Sequence, residues 1–361
     1  MRVVVAMSGG VDSSAAAALL VEQGHEVIGI SLRLSRAEAG RAPGRCCSPD
    51  DLDDARAVAD RLGIPFYVFE ATELFSRAVV EPFVGSYLAG ETPIPCLACN
   101  REVKFGHLLA RAEALGAALA TGHYARIVRG ADGRYRLHRG VDASRDQSYF
   151  LYELGQRELS RLLFPVGGLT KAQSREVARR AGLPTAEKPE SQDICFVPDG
   201  DAAGFVARAA GAAPAPGPIV TEAGEVIGEH EGLHAYTVGQ RKGLPAATAV
   251  GGGTRGHKLP IYVSEIRPET NEIVVGPASA VERTTFAARG ARWVGGAPPR
   301  EDEVLTVRVR HRHAGTPCTV RAAGDGFVVT ALAPVRAPAP GQSAVLYRGD
   351  EVVGGGVITR G

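Results

Sequence analysis

The 361-residue chain carries 41 Lys+Arg against 40 Asp+Glu, a formal charge of +1, so the total neither calls for nor excludes a nucleic-acid partner. Its 45% hydrophobic and 22% charged residues are those of an ordinary globular chain of two or three domains, which excludes disorder, collagen and coiled coil. The longest clean apolar run near the start, Val3 to Met7, is far short of the ~18 residues a membrane span needs, so a soluble cytoplasmic protein with no membrane partner is expected.

Residues 2 to 6 (RVVVA) read as a buried strand, followed by the glycine turn SGGVDSS and an Ala/Leu-rich helix that stops at Gly24. Residues 27 to 32 resume a strand. Ser48-Pro49-Asp50-Asp51 then opens a helix with an N-cap serine, proline at the first helical position and acids in the first turn, and that helix ends at Gly63. Residues 66 to 69 make the next strand, Thr72 is the expected cap of another helix, and a helix over roughly 101 to 115 precedes a fourth strand, AALA, before Thr121. Strands alternating with helices predict a doubly wound parallel sheet.

After Gly122 the pattern changes. ARIVRG and RYRLHRG flank Ala131-Asp132-Gly133 as a β-hairpin, and Thr170 caps a helix from Lys171 to Ala181. The stretch AAGAAPAPGP at 209 to 218 reads as a linker, and beyond it short strands dominate: PIVTEAG, KLPIYVSEI, NEIVVG, EVLTVRVRHR, FVVTAL and SAVLYRG. The expected fold is an α/β domain over 1–205, a small, mostly-β middle module over 206–278 and a C-terminal β-barrel over 279–361.

The turn SGGVDSS sits where a parallel strand meets a helix N-terminus, so backbone N–H groups and the helix dipole converge on a spot that favours an anion. Gly9 and Gly10 let phosphate oxygens approach the main chain, Ser8, Ser13 and Ser14 add hydroxyl donors, and Asp12 could hold a magnesium ion against the phosphates. This loop resembles the SGGxDS signature of the PP-loop ATP pyrophosphatases, whose fold is of the adenine nucleotide α-hydrolase type and which cut ATP between the α and β phosphates. CCSPDDLDDARAVADRLGIP, PCLACNREVKFGHLL, ATGHYARI, DQSYFL, GGLTKAQSREVARRAGLP, ESQDICFVPDGD, YTVGQRKGL and PGQSAV follow in the order found in the tRNA-specific 2-thiouridylases. The resemblance covers essentially the whole chain.

That family resemblance implies a reaction. ATP adenylates O2 of uridine 34 in the anticodon with loss of diphosphate, sulfur from a cysteine persulfide is delivered to C2, and AMP leaves, giving 2-thiouridine. By resemblance Cys195, in SQDICF, carries the persulfide, and Cys99 is the second catalytic thiol, a nucleophile whose attack leaves a Cys99 to Cys195 disulfide for a reductant to open. Asn100 reads as the N-cap of the following helix, which would make a thiol at Cys99 more acidic than free cysteine. The six cysteines, at 46, 47, 96, 99, 195 and 318, are too few and too uneven for a disulfide scaffold. Cys96 stands where the best-known form of the family has an acidic residue. Three thiolates, Cys96, Cys99 and Cys195, could therefore ligate a [4Fe-4S] cluster whose open iron takes sulfide; zinc, drawing on Cys46 and Cys47, is a rival, and a pocket-lining role for Cys96 is the plainest alternative.

For ATP the resemblance nominates Ala6, Met7, Ser8, Gly9, Gly10, Val11, Asp12 and Ser13 for the phosphates, with Leu32 and Gly122 at the ends of the second and fourth strands. For the target base and tRNA it nominates Ile94, Pro95, Cys96, His123, Asp146, Gln147, Ser148, Arg310, His311 and Gln342. The implied partners are the anticodon stem-loops of the Lys, Glu and Gln tRNAs and a cysteine-desulfurase-derived sulfur donor or relay. Two other classes stay open: a PP-loop ligase or amidotransferase acting on a small molecule, and a non-catalytic tRNA-binding redox or metal protein. The near-zero charge is itself a cancellation. Arg126, Arg129, Arg134, Arg136, Arg139 and Arg145 face only Asp132 and Asp142 over 126 to 145, and no acid interrupts Val304 to Gly324, which holds Arg308, Arg310, Arg312 and Arg321.

Overall fold

The computed structural model describes residues 1–34, 49–189, 194–197, 200–211, 215–244 and 260–360. The expected Ser48 cap, the zinc candidates Cys46 and Cys47, and part of the SQDICF segment lie outside the described residues.

Arg2–Ala6 forms strand β1, and Gly9 and Gly10 turn the chain into helix α1 (Val11–Glu22). Strand β2 (Glu26–Arg33), helix α2 (Pro49–Leu62) and strand β3 (Phe66–Glu70) follow. A continuous helical stretch over 72–88 is built from α3 (Thr72–Phe75), a π-helical turn (Ser76–Val80) and α4 (Glu81–Leu88). A second, over 95–114, is built from α5 (Pro95–Ala98), a longer π-helical segment (Cys99–Leu108) and α6 (Leu109–Ala114). Strand β4 (Ala118–Ala120) comes next. With the two-residue β7 (Leu162–Leu163), these strands pair in parallel in the order β3-β2-β1-β4-β7.

The sheet is covered on both sides, and β1 shows why. Val3 and Val5 pack with Ala15, Ala16, Val58 and Ala178 on one face, whereas Val4 packs with Val103, Leu108 and Leu119 on the other. A strand buried on both faces must be apolar throughout, which is what its three valines supply. Helix α1 lies under the sheet with Ala15 to Ala18 all buried, since small side chains let it sit closely between the sheet and helix α8 (Lys171–Arg180).

Strands β5 (Ala125–Arg129) and β6 (Tyr135–Arg139) form the expected hairpin, with Gly133 at φ +78° in the turn. The hairpin leaves the parallel sheet. Through Leu137↔Val352 and His138↔Glu351 it extends the C-terminal sheet instead. After the short helix α7 (Gln156–Leu159), helix α8 is closed at its start by a capping box between Thr170 and Gln173.

The middle of the chain holds helix α9 (Ala202–Ala210) and a four-stranded sheet in the order β10-β11-β8-β9: β8 (Gly217–Thr221), β9 (Val226–His230), β10 (Tyr262–Arg267) and β11 (Glu272–Gly276). The remaining strands are β12 (Glu282–Trp293), β13 (Leu305–Arg308), β14 (Thr316–Ala323), β15 (Gly326–Arg336), β16 (Ser343–Arg348) and β17 (Glu351–Ile358). These six run antiparallel in the order β12-β15-β14-β13-β16-β17, and β12 pairs with β17 to close the barrel.

Three local expectations are corrected. Thr72 is the first residue of its helix, with Ala71 at the N-cap. The helix expected from 101 starts at Pro95 with Ile94 at its N-cap, because proline fits the first turn, so Asn100 lies inside the helix and caps nothing. Residues 209 and 210, expected in a linker, end helix α9, whose Asp201 side chain caps the Gly204 N–H at 2.8 Å and whose C-cap is Gly211 at φ +69°. Among the described residues no helix is long and apolar enough to cross a membrane.

Candidate active site

The carboxyl ends of β1 and β4 are neighbours, and from them two turns leave the sheet and meet: Met7 to Gly10 and Thr121 to Tyr124. Ligands of such sheets bind at this point, where the strand order reverses. The two turns are in backbone contact: a Cβ on Gly122 would stand 2.7 Å from Asp12 C and Ser13 N. Gly9 is constrained twice, by φ +71° and by a Cβ position 2.1 Å from the Asp51 carbonyl oxygen on α2. The Ser8 N–H donates to Ser13 Oγ at 3.2 Å, and Ser13 Oγ and Ser14 Oγ both reach the Gly10 carbonyl, at 3.0 and 2.9 Å. The serines therefore brace the loop from inside.

Above the loop lies a cavity of about 430 Å³. Of the nominated nucleotide residues, Ala6, Met7, Ser8, Gly10, Val11, Asp12, Ser13, Leu32 and Gly122 line it, and Gly9 sits behind against α2. Cys96, Cys99 and Cys195 line the same space, although Cys195 is 96 positions from Cys99 in the chain. All three are thiols in the structure. Among the described residues no group of three His, Cys, Asp or Glu side chains is arranged to hold a single metal ion.

The cavity also gathers lysines. Lys104, Lys171 and Lys188 line it, three of only five lysines in a chain whose other 36 basic residues are arginine. Lys171 Nζ donates to Asp12 Oδ1 at 2.7 Å, and the Tyr124 hydroxyl donates to the same oxygen at 2.8 Å. Burial pushes the Tyr124 phenol well up, so it stays a donor. Lys188 Nζ donates to Asp51 Oδ1 at 2.6 Å, to Asp54 and to the Gly9 carbonyl at 3.0 Å, which ties the stem of the Cys195 loop to the phosphate loop. Burial works to lower the Lys188 ammonium, but hydrogen bonds to and the charges of Asp51 and Asp54 together outweigh it and raise the group above its ordinary value, so it stays charged. Lys104 and Lys171 lie inside quoted motif segments, but none of the three lysines was nominated for the site. The usable signal was the survival of lysine, a compact point charge, where the composition otherwise favours arginine.

His123 also lines the cavity, buried between the rings of Phe105 and Phe164, with its Nδ1 2.7 Å from Thr121 Oγ1. Burial first, and then the charge of Lys104, hold it well below the usual imidazole range, so the ring is neutral at physiological pH.

The residues nominated for tRNA divide into three groups. Pro95, Cys96, His123 and Gln147 line the cavity, and Gln147 Oε1 accepts from the Tyr124 N–H at 3.0 Å. Asp146, Ser148 and His311 belong to a joint between the α/β domain and the barrel. Asp146 is 4% exposed and pairs with Arg308, 9% exposed, at 3.2 Å, while its other oxygen accepts from the Gly140 and Ser148 N–H groups. His311 Nε2 lies 2.7 Å from the Asp146 carbonyl, and its ring lies over Phe150 at 4.7 Å. Ser148 Oγ lies 3.3 Å from the Tyr347 hydroxyl of β16. Arg308 was not nominated from the sequence, because one arginine in VRVRHRH looks like another until one of them is buried. In the third group, Arg310 is exposed, Gln342 Nε2 donates to the Thr92 carbonyl at 2.7 Å, and Ile94 caps the helix that carries Cys96 and Cys99.

Known proteins match the chain along its length. A family model described as the tRNA methyl transferase HUP domain matches residues 1–199, one described as the tRNA methyl transferase PRC-barrel domain matches 204–277, and one described as the aminomethyltransferase beta-barrel domain matches 283–358. The chain is 50% identical to a tRNA-specific 2-thiouridylase MnmA of Chloroflexus aurantiacus, across 99% of its own length and 98% of the relative's. It is 48% identical to the protein of that name from Geobacter metallireducens, across 99% and 96%, and 50% identical to that from Rhodospirillum centenum, across 99% and 92%.

Proposed function

The chain belongs to the tRNA-specific 2-thiouridylase family, whose reaction is 2-thiolation of the wobble uridine, U34, of tRNA, and from that premise we propose how its residues divide the work. ATP binds with its phosphates on Ala6 to Ser13 and its adenine toward Leu32 and Gly122. The O2 of a flipped-out U34 attacks the α-phosphate, diphosphate leaves, and C2 becomes electrophilic because AMP is a far better leaving group than oxide. The terminal sulfur of a Cys195 persulfide adds to C2 and AMP departs with the former O2. Cys99 thiolate then attacks Cys195 Sγ. The S–S bond breaks with its electron pair on the sulfur that stays on C2, a Cys99 to Cys195 disulfide forms, and an external two-electron reductant reopens it.

The observation that carries this reading is that the phosphate loop and the two thiols, distant in sequence, face one cavity. It also favours sulfur transfer over the methyl transfer in the family models' descriptions, since methylation needs no phosphate loop and no pair of thiols. Asp12 and Asp51 both line the cavity and each is already balanced by a lysine, which suits a Mg²⁺ that arrives on the triphosphate and takes one carboxylate, Asp12. Such an ion would neutralise phosphate charge. Cys96, Cys99 and Cys195, which line the one cavity, are the residues that would hold a [4Fe-4S] cluster, whose open iron would supply sulfide in place of the persulfide.

The remaining assignments follow the same reading: Ile94, Pro95, Cys96, His123 and Gln147 around the target base, Arg310 and Gln342 along the anticodon stem-loop of the Lys, Glu and Gln tRNAs, and Asp146, Ser148 and His311 behind them. The three units 1–205, 206–278 and 279–361 serve chemistry, tRNA contact and tRNA contact, in the cytoplasm, with sulfur supplied by a cysteine-desulfurase-derived donor.

One assay tests the whole reading. The chain is incubated with ATP, a persulfide donor and anticodon stem-loop RNA, and AMP, diphosphate and 2-thiouridine are expected together and only with RNA present. AMP without RNA dependence would point to a small-molecule ligase, and RNA binding without AMP to a non-catalytic protein. A narrower expectation concerns Arg310, exposed and with one guanidinium nitrogen on the Arg336 carbonyl at 3.1 Å. Arg310→Ala weakens tRNA binding, lowers the salt-dependence slope by about one and leaves ATP affinity unchanged. An unchanged slope across a salt titration refutes the contact.

A further inference from the structure

We propose that the middle unit, helix α9 with its four-stranded sheet, braces the two thiol-bearing segments so that both stay turned toward one cavity. Phe205 holds the segment of Cys195, and Thr237 holds the start of the helix of Cys99. The use of this brace in sulfur transfer rests on the proposed pairing of the two thiols; the contacts themselves do not.

The seat of Cys195 is aromatic. Residues 194–197 close a turn, in which the Val197 N–H donates to the Ile194 carbonyl at 2.9 Å, and Ile194, Cys195 and Phe196 all line the cavity. The Phe196 ring meets three others edge to face: Phe75 at 5.6 Å, Phe83 at 5.1 Å and Phe205 at 5.4 Å. Phe75 and Phe83 come from the helical stretch over 72–88, whereas Phe205 comes from α9. Val197, 3% exposed, lies in one cluster with Phe83 and with the fully buried Val206 of α9. Edge-to-face pairs set direction as well as distance, because the positive edge of one ring meets the negative face of the next. The residue beside Cys195 is therefore held in orientation, and α9 supplies one side of its cage.

The second hold is at Thr92. Its hydroxyl lies 3.0 Å from the Thr237 hydroxyl of the middle unit. Its N–H donates to the Pro340 carbonyl at 2.9 Å, and its carbonyl accepts from Gln342 Nε2 at 2.7 Å, both in the barrel. Three units thus meet on one residue, and only Pro93 and Ile94 separate it from the helix that starts at Pro95 and carries Cys96 and Cys99. Prolines at 93 and 95 fix two φ angles in this link, which leaves little slack between the anchored threonine and the helix. Thr237 is itself pinned to β10. Its N–H donates to Gln240 Oε1 at 3.1 Å, the Gly239 N–H to the Val263 carbonyl at 2.8 Å, and the Val263 N–H to the Gln240 carbonyl at 2.9 Å. This turn belongs to the motif YTVGQRKGL, to which the nucleotide and target-base assignments give no task.

Both holds belong to one body. Helix α9 packs against the turn Leu233–Ala235, Leu233 shares the middle core with Ile219, Val263 and Ile273, and Thr237 follows two residues after that turn. The helix of Cys99 is also packed into the core of the α/β domain through Leu97, Val103 and Leu108, so Phe205 is the larger of the two holds. Phe205 and Thr237 are positioning residues.

The test cross-links thiols in the full-length, reduced chain without nucleotide or RNA. One thiol displaces the first bromide of dibromobimane, and a second thiol of the same molecule displaces the other, which makes the product fluorescent. Tandem mass spectrometry identifies the Cys99 to Cys195 product apart from any at Cys96. In Phe205→Ala the second displacement slows about tenfold, and in Thr237→Val about threefold, because an intramolecular step depends steeply on how its partners are placed. Thr237→Ser restores it. The first displacement and the ATP affinity stay as in the wild type, which a general loosening of the fold would not allow. An unchanged second displacement in either folded variant overturns the proposal, as does a parallel loss of ATP affinity or the absence of the Cys99 to Cys195 product from the wild-type chain. If Phe205→Ala does not fold, Phe205→Leu, which keeps the bulk and loses the ring, is read in the same way. Failure of the 2-thiouridine assay overturns the proposed function and leaves the cross-linking result standing, and an unchanged second displacement does the converse.

Discussion

Cys195→Ser forms no 2-thiouridine, a loss on the order of a thousandfold or more, while ATP binds with its affinity nearly unchanged. Serine keeps the shape of the side chain but cannot carry a sulfane sulfur, so the reaction stops after adenylation. The nucleotide contacts belong to other elements: the phosphate loop is braced by its own serines and by the Asp12, Tyr124 and Lys171 triad. Cys99→Ser fails one step later. It releases AMP but accumulates a Cys195–S–S–C2 adduct, seen as RNA covalently held by the protein and freed by a reductant, because Cys99 is not there to break the S–S bond. Radiolabelled AMP release and nucleoside analysis of the RNA measure the two steps separately. Wild-type 2-thiouridine yield from Cys195→Ser would remove the persulfide mechanism.

Arg308→Met destabilises the protein by about 3 to 5 kcal/mol, the cost of leaving a buried carboxylate without its partner. Asp146 keeps its Gly140 and Ser148 N–H donors in the variant but loses the Arg308 counter-charge, and it is too buried to recruit water freely. Denaturant unfolding of the purified variant measures this cost. The paired variant Arg308→Met/Asp146→Leu should recover much of the loss, since removing both charges also removes the burial penalty. A loss below about 1 kcal/mol in Arg308→Met would show that the pair is worth no more than one on the surface. Function should report the same joint. Gln147 stands between Asp146 and Ser148, both anchored to the barrel, so slack at Arg308 raises KM for tRNA before it affects ATP.

The joint marks a limit of sequence reading. DQSYFL is recognisable as a segment, but only the tertiary structure shows that alternate side chains in it serve different ends. Asp146 and Ser148 hold the barrel, and Gln147 reaches the cavity. The hairpin β5–β6 was equally legible as a hairpin, from its alternation and its Asp-Gly turn. Its allegiance was not, because it is set by the pairing of Leu137 with Val352, more than 200 residues away, and no local propensity encodes such a partner.

Strands β9, β12, β14 and β17 carried weak signals. EVVGGGVI was not among the expected strands, yet Gly354 and Gly356 are pressed against the Arg292 and Arg289 carbonyl oxygens of β12, where a Cβ would stand 2.2 and 2.7 Å away. The glycines close the barrel rather than break the strand, which is a property of the neighbour and not of the segment.

The chain's own order of residues determined the α/β alternation and the phosphate loop. Those depend on interactions between residues close in sequence: apolar period, glycine at a strand end, a cap three residues before its donor. The tertiary structure alone decided that Lys104, Lys171 and Lys188 surround the thiols, that Cys99 lies inside a helix and not at its start, and that Arg308 and not only Arg310 matters. Each of these turns on where a side chain points once the core has closed, and burial, which makes an unpaired charge costly, does not exist until then.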